Sequence, residues 1–164
     1  MTDAFVHLHV ASGFSLRYGA STPAALVERA SELGQPAMAL TNRDGLYGEV
    51  RFVQACDEAG IAPVLGVDLA VGHEMDLAAV RRQANTAAGH GTQAGRVNPV
   101  RGGAEVDPRH PRVTVLARGQ GAGLDPGVGW GRLCSLVTQT HLSCERGAPV
   151  SSAELIAEIG RAHV

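Results

Sequence analysis

The stretch FVHLHVASGFS, residues 5–15, carries two histidines, His7 and His9, two positions apart in a short apolar run. Successive side chains of a β-strand point to opposite faces, so positions i and i+2 share one face. Val6, Leu8 and Val10 then share the other. Neutral imidazole is the commonest metal ligand among side chains, and two rings converging on one face suit one ion or two adjacent ones. The same spacing also arises by chance, and both rings then merely decorate an exposed face. The decision rests on what other segments bring to that face.

The remaining chemistry-bearing residues are scattered. His141, in TQTHLS, falls on or just after a helix and reads as a surface or capping histidine. His73, His90 and His110 lie in a polar stretch and read as solvated. RGQGAG follows a strand but has neither the dinucleotide nor the Walker spacing, so it is not a phosphate loop. Arg81 and Arg82 form a small basic pair of the kind found on solvated faces. Cys56, Cys134 and Cys144 are odd in number and widely spaced, with no CxxC. That argues against a disulfide framework or a thiolate zinc site and fits a reducing cytoplasm.

Composition bounds the rest. The chain has 164 residues, which is one domain or part of one. Hydrophobic residues make up 45% but aromatics only 4%, so the core must be built from Ala, Val and Leu. A net charge of −2 supplies no electrostatic footprint for nucleic acid. Every basic residue is arginine, which with the many Ala and Gly residues points to a GC-rich genome. The amino terminus lacks the basic region and long apolar stretch of a signal peptide, and no apolar run reaches membrane-spanning length.

The elements that must position the histidines alternate. AFVHLHV reads as a strand. STPAALVERASELG reads as a helix, with Ser21 or Thr22 as cap, Pro23 in its first turn and Gly34 at its end. PAMALT is a buried strand, LYGEVRFVQACDEAG a second helix stopped by Gly60, and IAPVLGVDLAV a third strand. This βαβαβ order predicts parallel strands covered by helices. From about Gly72 to Pro111 the pattern fails, and a long irregular insertion is expected, with MDLAAVRRQANTAA as a marginal helix. RVTVLAR is a further strand. VGWGRLCSLVTQTHL is a helix with Trp130, Leu133, Leu136 and Val137 inward. SSAELIAEI is a final serine-capped helix.

This run of motifs, from FVHLHVASGFSLRYGAS through LTNRDGLYGEVRF and PVLGVDLAV to PVRGGAEVDPRHPRVTVLAR and GWGRLCSLVTQTHL, resembles the PHP (polymerase and histidinol phosphatase) domain at the amino terminus of bacterial C-family DNA polymerases. Its flavour is that of the actinobacterial, error-prone-like branch of the DNA polymerase III alpha subunit. The resemblance implies an α/β fold, a distorted (β/α)7 barrel of which this chain supplies roughly the first four β/α units. It implies a metal cluster of zinc or manganese at the strand ends. His7 and His9 match the family's HxH, and Asp68 fills the acidic position after the third strand, where Glu is usual. Arg17, Tyr18 and Arg43 are candidates to line the site, since they follow strands on the side where barrel sites sit.

Two departures weigh on that site. The family's LTDHG reads LTNRDG here, so Asn42 replaces a ligating Asp and Arg43 a ligating His. Asn42 offers a carbonyl oxygen without charge, while Arg43 is a permanent cation that cannot ligate. Asp44 could substitute in part, or pair with Arg43. A weak or dead metal site is the expectation. The function expected is that of a PHP fragment of a DNA-directed polymerase. The missing polymerase region would use magnesium and would bind DNA and other replication or repair proteins, with no membrane partner. The alternatives are a standalone phosphoesterase of histidinol-phosphatase type, in which metal-activated water attacks phosphate, or a purely structural module. Residues 1–158 are read as the amino-terminal part of the PHP domain, with 72–111 as the flexible insertion. The ending IGRAHV equals a translated frame of a sequencing-library adapter, so 159–164 are read as a non-native tail.

Overall fold

The computed structural model describes residues 5–72, 111–119, 127–144 and 149–161. The expected insertion and its marginal helix, with His73, Arg81, Arg82, His90 and His110, fall outside the described residues apart from the flanking Gly72 and Pro111.

The first helix, α1, spans Pro23–Glu32. The Thr22 side chain caps it by accepting from the Ala25 N–H at 3.2 Å, and Pro23 loses nothing in a first turn whose N–H groups are unpaired anyway. The strand β1 follows at Ala37–Arg43, and α2 at Glu49–Ala59 ends on Gly60 at φ +68, a left-handed stop that glycine adopts without strain. The second strand, β2, covers Ala62–Ala70 and pairs with β1 in parallel, Leu40 opposite Leu65 and Arg43 opposite Asp68.

The third strand, β3, at Arg112–Leu116, runs antiparallel to β2, with Arg112 opposite Ala70 and Thr114 opposite Asp68. This differs from a series of parallel β/α units: the chain re-enters beside the end of β2 and runs back along it. The sheet is mixed, in the order β1-β2-β3. Two helices complete the described fold, α3 at Val128–Ser143 and α4 at Ala153–Arg161, the latter capped by Ser152 Oγ accepting from the Leu155 N–H.

The pairing register sorts the side chains. Met38, Leu40, Asn42, Leu65, Val67, Leu69, Val113 and Val115 share one sheet face, which the helices cover. Val27, Ala30, Phe52 and Cys56 of α1 and α2 pack there with Met38 and Leu40. Farther along, Leu133 and Leu136 of α3 meet Val67 and Leu69, with Trp130, Val137, Leu155 and Ile159 at the margin. The opposite face carries Thr41, Arg43, Gly66, Asp68, Arg112 and Thr114. It is polar, and it is the face the amino-terminal histidines must reach.

Candidate functional site

The amino-terminal segment is not a regular strand. It joins β1 through one bridge, His7 to Met38. The Ala39 N–H donates to the His7 carbonyl and the Thr41 N–H to the Val10 carbonyl, both at 2.8 Å. Two steps on β1 thus face three on the amino-terminal segment. That extra residue is a bulge, and it breaks the strict i, i+2 alternation that would align His7 with His9. The His7 ring meets the Phe5 ring edge-on at 4.7 Å between centres. His9 Nδ1 lies 2.8 Å from Thr114 Oγ1 and 3.5 Å from Thr41 Oγ1, so its ring spans from β1 to β3 over the polar face. Gly66 lies between those strands and has no room for more: a Cβ there would sit 2.9 Å from Thr41 Cγ2 and 2.8 Å from the Val115 carbonyl oxygen.

Asn42 is turned to the opposite, helix-covered face and is fully buried. Its Oδ1 accepts from the Ser12 N–H, the Ser12 hydroxyl and the Ser15 hydroxyl, each at 2.9 Å. The residue therefore ties the loop after His9 to β1, and its carbonyl oxygen is taken. The Ser15 hydroxyl also accepts from the Arg43 N–H at 2.9 Å.

Arg43 is on the polar face. Its guanidinium lies over the Tyr18 ring, 3.6 Å from the centre, and its Nε is 4.0 Å from Asp68 Oδ2. Arg17, next to Tyr18, is exposed and has a left-handed backbone at φ 74. The nearer partner of Asp68 is Arg112, whose Nε donates to Asp68 Oδ2 at 2.7 Å and whose Nη2 donates to the Asp68 carbonyl at 2.6 Å. The same Nη2 reaches Asp44 Oδ1 at 2.8 Å. Asp44 takes a left-handed backbone at φ 55, tolerable for an aspartate, and its N–H donates to the Asp68 carbonyl. One guanidinium thus bridges two carboxylates across the ends of β1 and β2, with a second arginine alongside. All four side chains are largely buried, between 9% and 16% exposed.

His141 arrives from α3. Its Nε2 lies 2.5 Å from the Asp44 carbonyl oxygen, and since a carbonyl only accepts, that nitrogen carries the proton. From its sequence His141 is expected to be a surface or capping histidine. It is exposed, yet it fastens α3 to the rim of the same network. Arg112 and Thr114 were missed altogether, although RVTVL carried a usable signal: its alternation puts Arg and Thr on one face and the valines on the other.

Can these residues hold the metal that the PHP resemblance implies? Among the described residues no group of three or more His, Cys, Asp or Glu side chains is placed to hold an ion. The two carboxylates on the polar face are already neutralised by Arg112 and Arg43. Among the described residues the donor set does not fit a metal centre.

Behind the sheet, Glu49 opens α2 and is 1% exposed, and neither carboxyl oxygen has a hydrogen-bond partner among the described residues. Burial pushes its pKa from 4.5 up to about 8. Burial, with Glu49 nearby, also raises the Cys134 thiol on α3, which keeps it protonated and a poor nucleophile.

Residues 7–156 match the PHP domain, and the chain belongs to that family. It is 38% identical to the error-prone DNA polymerase of Nocardia farcinica over 89% of its length, and 34% identical to that of Mycobacterium bovis over 98%. A shorter stretch, 43% of the chain, is 44% identical to the DNA polymerase III subunit alpha of Treponema pallidum. The chain spans only 13% and 12% of the Nocardia and Mycobacterium proteins. Among solved structures it is similar to an amidohydrolase from Chromobacterium violaceum, with a TM-score of 0.49 and 19% identity over 85% of this chain and 34% of the other. It is also similar to a Bifidobacterium adolescentis protein described as a metal-dependent phosphoesterase, with a TM-score of 0.44 and 21% identity over 84% of this chain and 32% of the other. No described helix is long and apolar enough to cross a membrane.

Proposed function

We propose that this chain is the amino-terminal PHP module of a C-family DNA polymerase of the error-prone type, and that its metal position is degenerate. The likeness to error-prone polymerases along nearly the whole chain supports the first part. The ion pairs of Asp68 and Asp44 with Arg112 support the second. On this reading the module does no phosphate chemistry. DNA binding, magnesium-dependent nucleotidyl transfer and contacts with replication or repair proteins belong to the longer protein, which works in the cytoplasm.

The test begins with the natural reading frame beyond residue 158. It should continue into a polymerase region, and the protein it encodes should extend a primer on a DNA template with magnesium. The chain itself should bind neither zinc nor manganese tightly in calorimetric titration, and should not hydrolyse a phosphate monoester. An early stop codon together with metal-dependent phosphatase turnover would identify a standalone phosphoesterase instead.

A further inference from the structure

We propose that Arg112 is an internal substitute for a metal ion: a covalently attached cation that bridges Asp44 and Asp68 and makes the stability of this domain independent of divalent metal. The proposal rests on the family reading above, but its test uses stability and no polymerase activity, so the two can fail separately.

The argument is one of charge and geometry. Asp44 follows β1 and Asp68 lies near the end of β2, in neighbouring strands whose ends are held by the Asp44 N–H to Asp68 carbonyl bond at 2.9 Å. Two carboxylates at adjacent strand ends, largely buried, repel unless a cation lies between them. A divalent ion meets that need by taking one oxygen from each. Here a planar guanidinium meets it with Nε on Asp68 Oδ2 and Nη2 on Asp44 Oδ1. The fork geometry of arginine suits two acceptors at once, which an ammonium cannot match. Arg112 also opens β3 opposite Ala70, so the same contact fixes the edge of the antiparallel strand. Arg43 adds a second positive charge, 4.0 Å from Asp68 Oδ2. Together the four side chains sum to zero charge, so an added cation finds no net negative charge to hold it.

It follows that the carboxylate pair is a latent cation site, closed by Arg112. Asn42 does not decide it, because its side chain faces the other way. The experiment is thermal unfolding of the chain with EDTA or with millimolar manganese. Wild type should melt at the same temperature in both. Arg112→Met keeps the bulk and removes the charge. It should melt lower in EDTA and regain part of the loss with manganese. Adding Asp68→Asn to Arg112→Met should abolish the regain. Asn42→Asp with Arg43→His, which leaves Arg112 in place, should give no manganese response. If Arg112→Met does not fold in EDTA, recovery of its fold on refolding with manganese reads the same effect. Arg112→Met that neither melts lower nor responds to manganese would overturn the proposal. So would a wild-type response as large as the variant's, or an undiminished response after Asp68→Asn is added.

Discussion

Glu49 is the residue whose chemistry the fold alters most. A carboxyl with no hydrogen-bond partner among the described residues and almost no exposure is costly to ionise, and its pKa of about 8 in the fold lies above the ordinary 4.5. Between those two values the unfolded chain has released its proton while the folded chain keeps it. Stability must therefore fall as pH rises from 4.5 toward 8 and then level off. Below 4.5 both states are protonated and the residue contributes no slope. Glu49→Gln should flatten this part of the profile and be more stable than wild type near pH 8, as read by urea midpoints across the range. At the polar face the corresponding residue is Arg112. Breaking a buried ion pair by removing one partner costs about 3–5 kcal/mol, and these side chains are not wholly buried, so Arg112→Met should cost about 2–3 kcal/mol by urea denaturation in EDTA.

The helix α3 carries two glycines with opposite roles. A Cβ on Gly129 would lie 2.1 Å from the Arg118 carbonyl oxygen, so the helix packs against the chain after β3 only because that side chain is absent. Gly129→Ala should push α3 away and destabilise the protein by about 1–3 kcal/mol, the usual range for overpacking. Gly131, two residues on, has nothing among the described residues within 4 Å of its Cβ position. Gly131→Ala should stabilise by about 0.5–1 kcal/mol, the helix-propensity gain. Urea unfolding of the two variants should shift in opposite directions. Elements with strong local punctuation were legible in the sequence. Thr22 and Pro23 start α1, Gly60 stops α2, and Ser152 starts α4, each by a local hydrogen bond or backbone preference. The bulge at His7–Val10 carries no such mark, because it depends on how β1 receives the segment.

The two apolar clusters share a sheet. Leu65 of β2 packs against both the α1–α2 cluster and the α3–α4 cluster, so neither can loosen without the other. A single unfolding transition is expected. The chain's one tryptophan, Trp130, lies in the second cluster, while Phe52, fully buried, lies in the first. Phe52→Ala should cost about 3–5 kcal/mol and move the Trp130 fluorescence transition as far as the circular-dichroism transition. Two separated transitions would mean that the clusters are independent folding units.

Amphipathic period, caps and turn residues, together with the order of motifs, were enough to determine the α/β class, the positions of both crossover helices and the family. They are local properties, and each acts over a few residues. The resemblance of LTNRDG to the family's motif set Arg43 at an expected ligand position and so raised the question of the site. Its answer depended on partners far apart in the chain. Asp44 and Arg112 are 68 positions apart, and His9 and Thr114 are 105 apart. Only the antiparallel return of β3 puts Arg112 on Asp68 and Thr114 under His9, and only the pleat of β1 turns Asn42 away from them. Strand direction and register are set by which faces bury together, and that is a property of the assembled sheet.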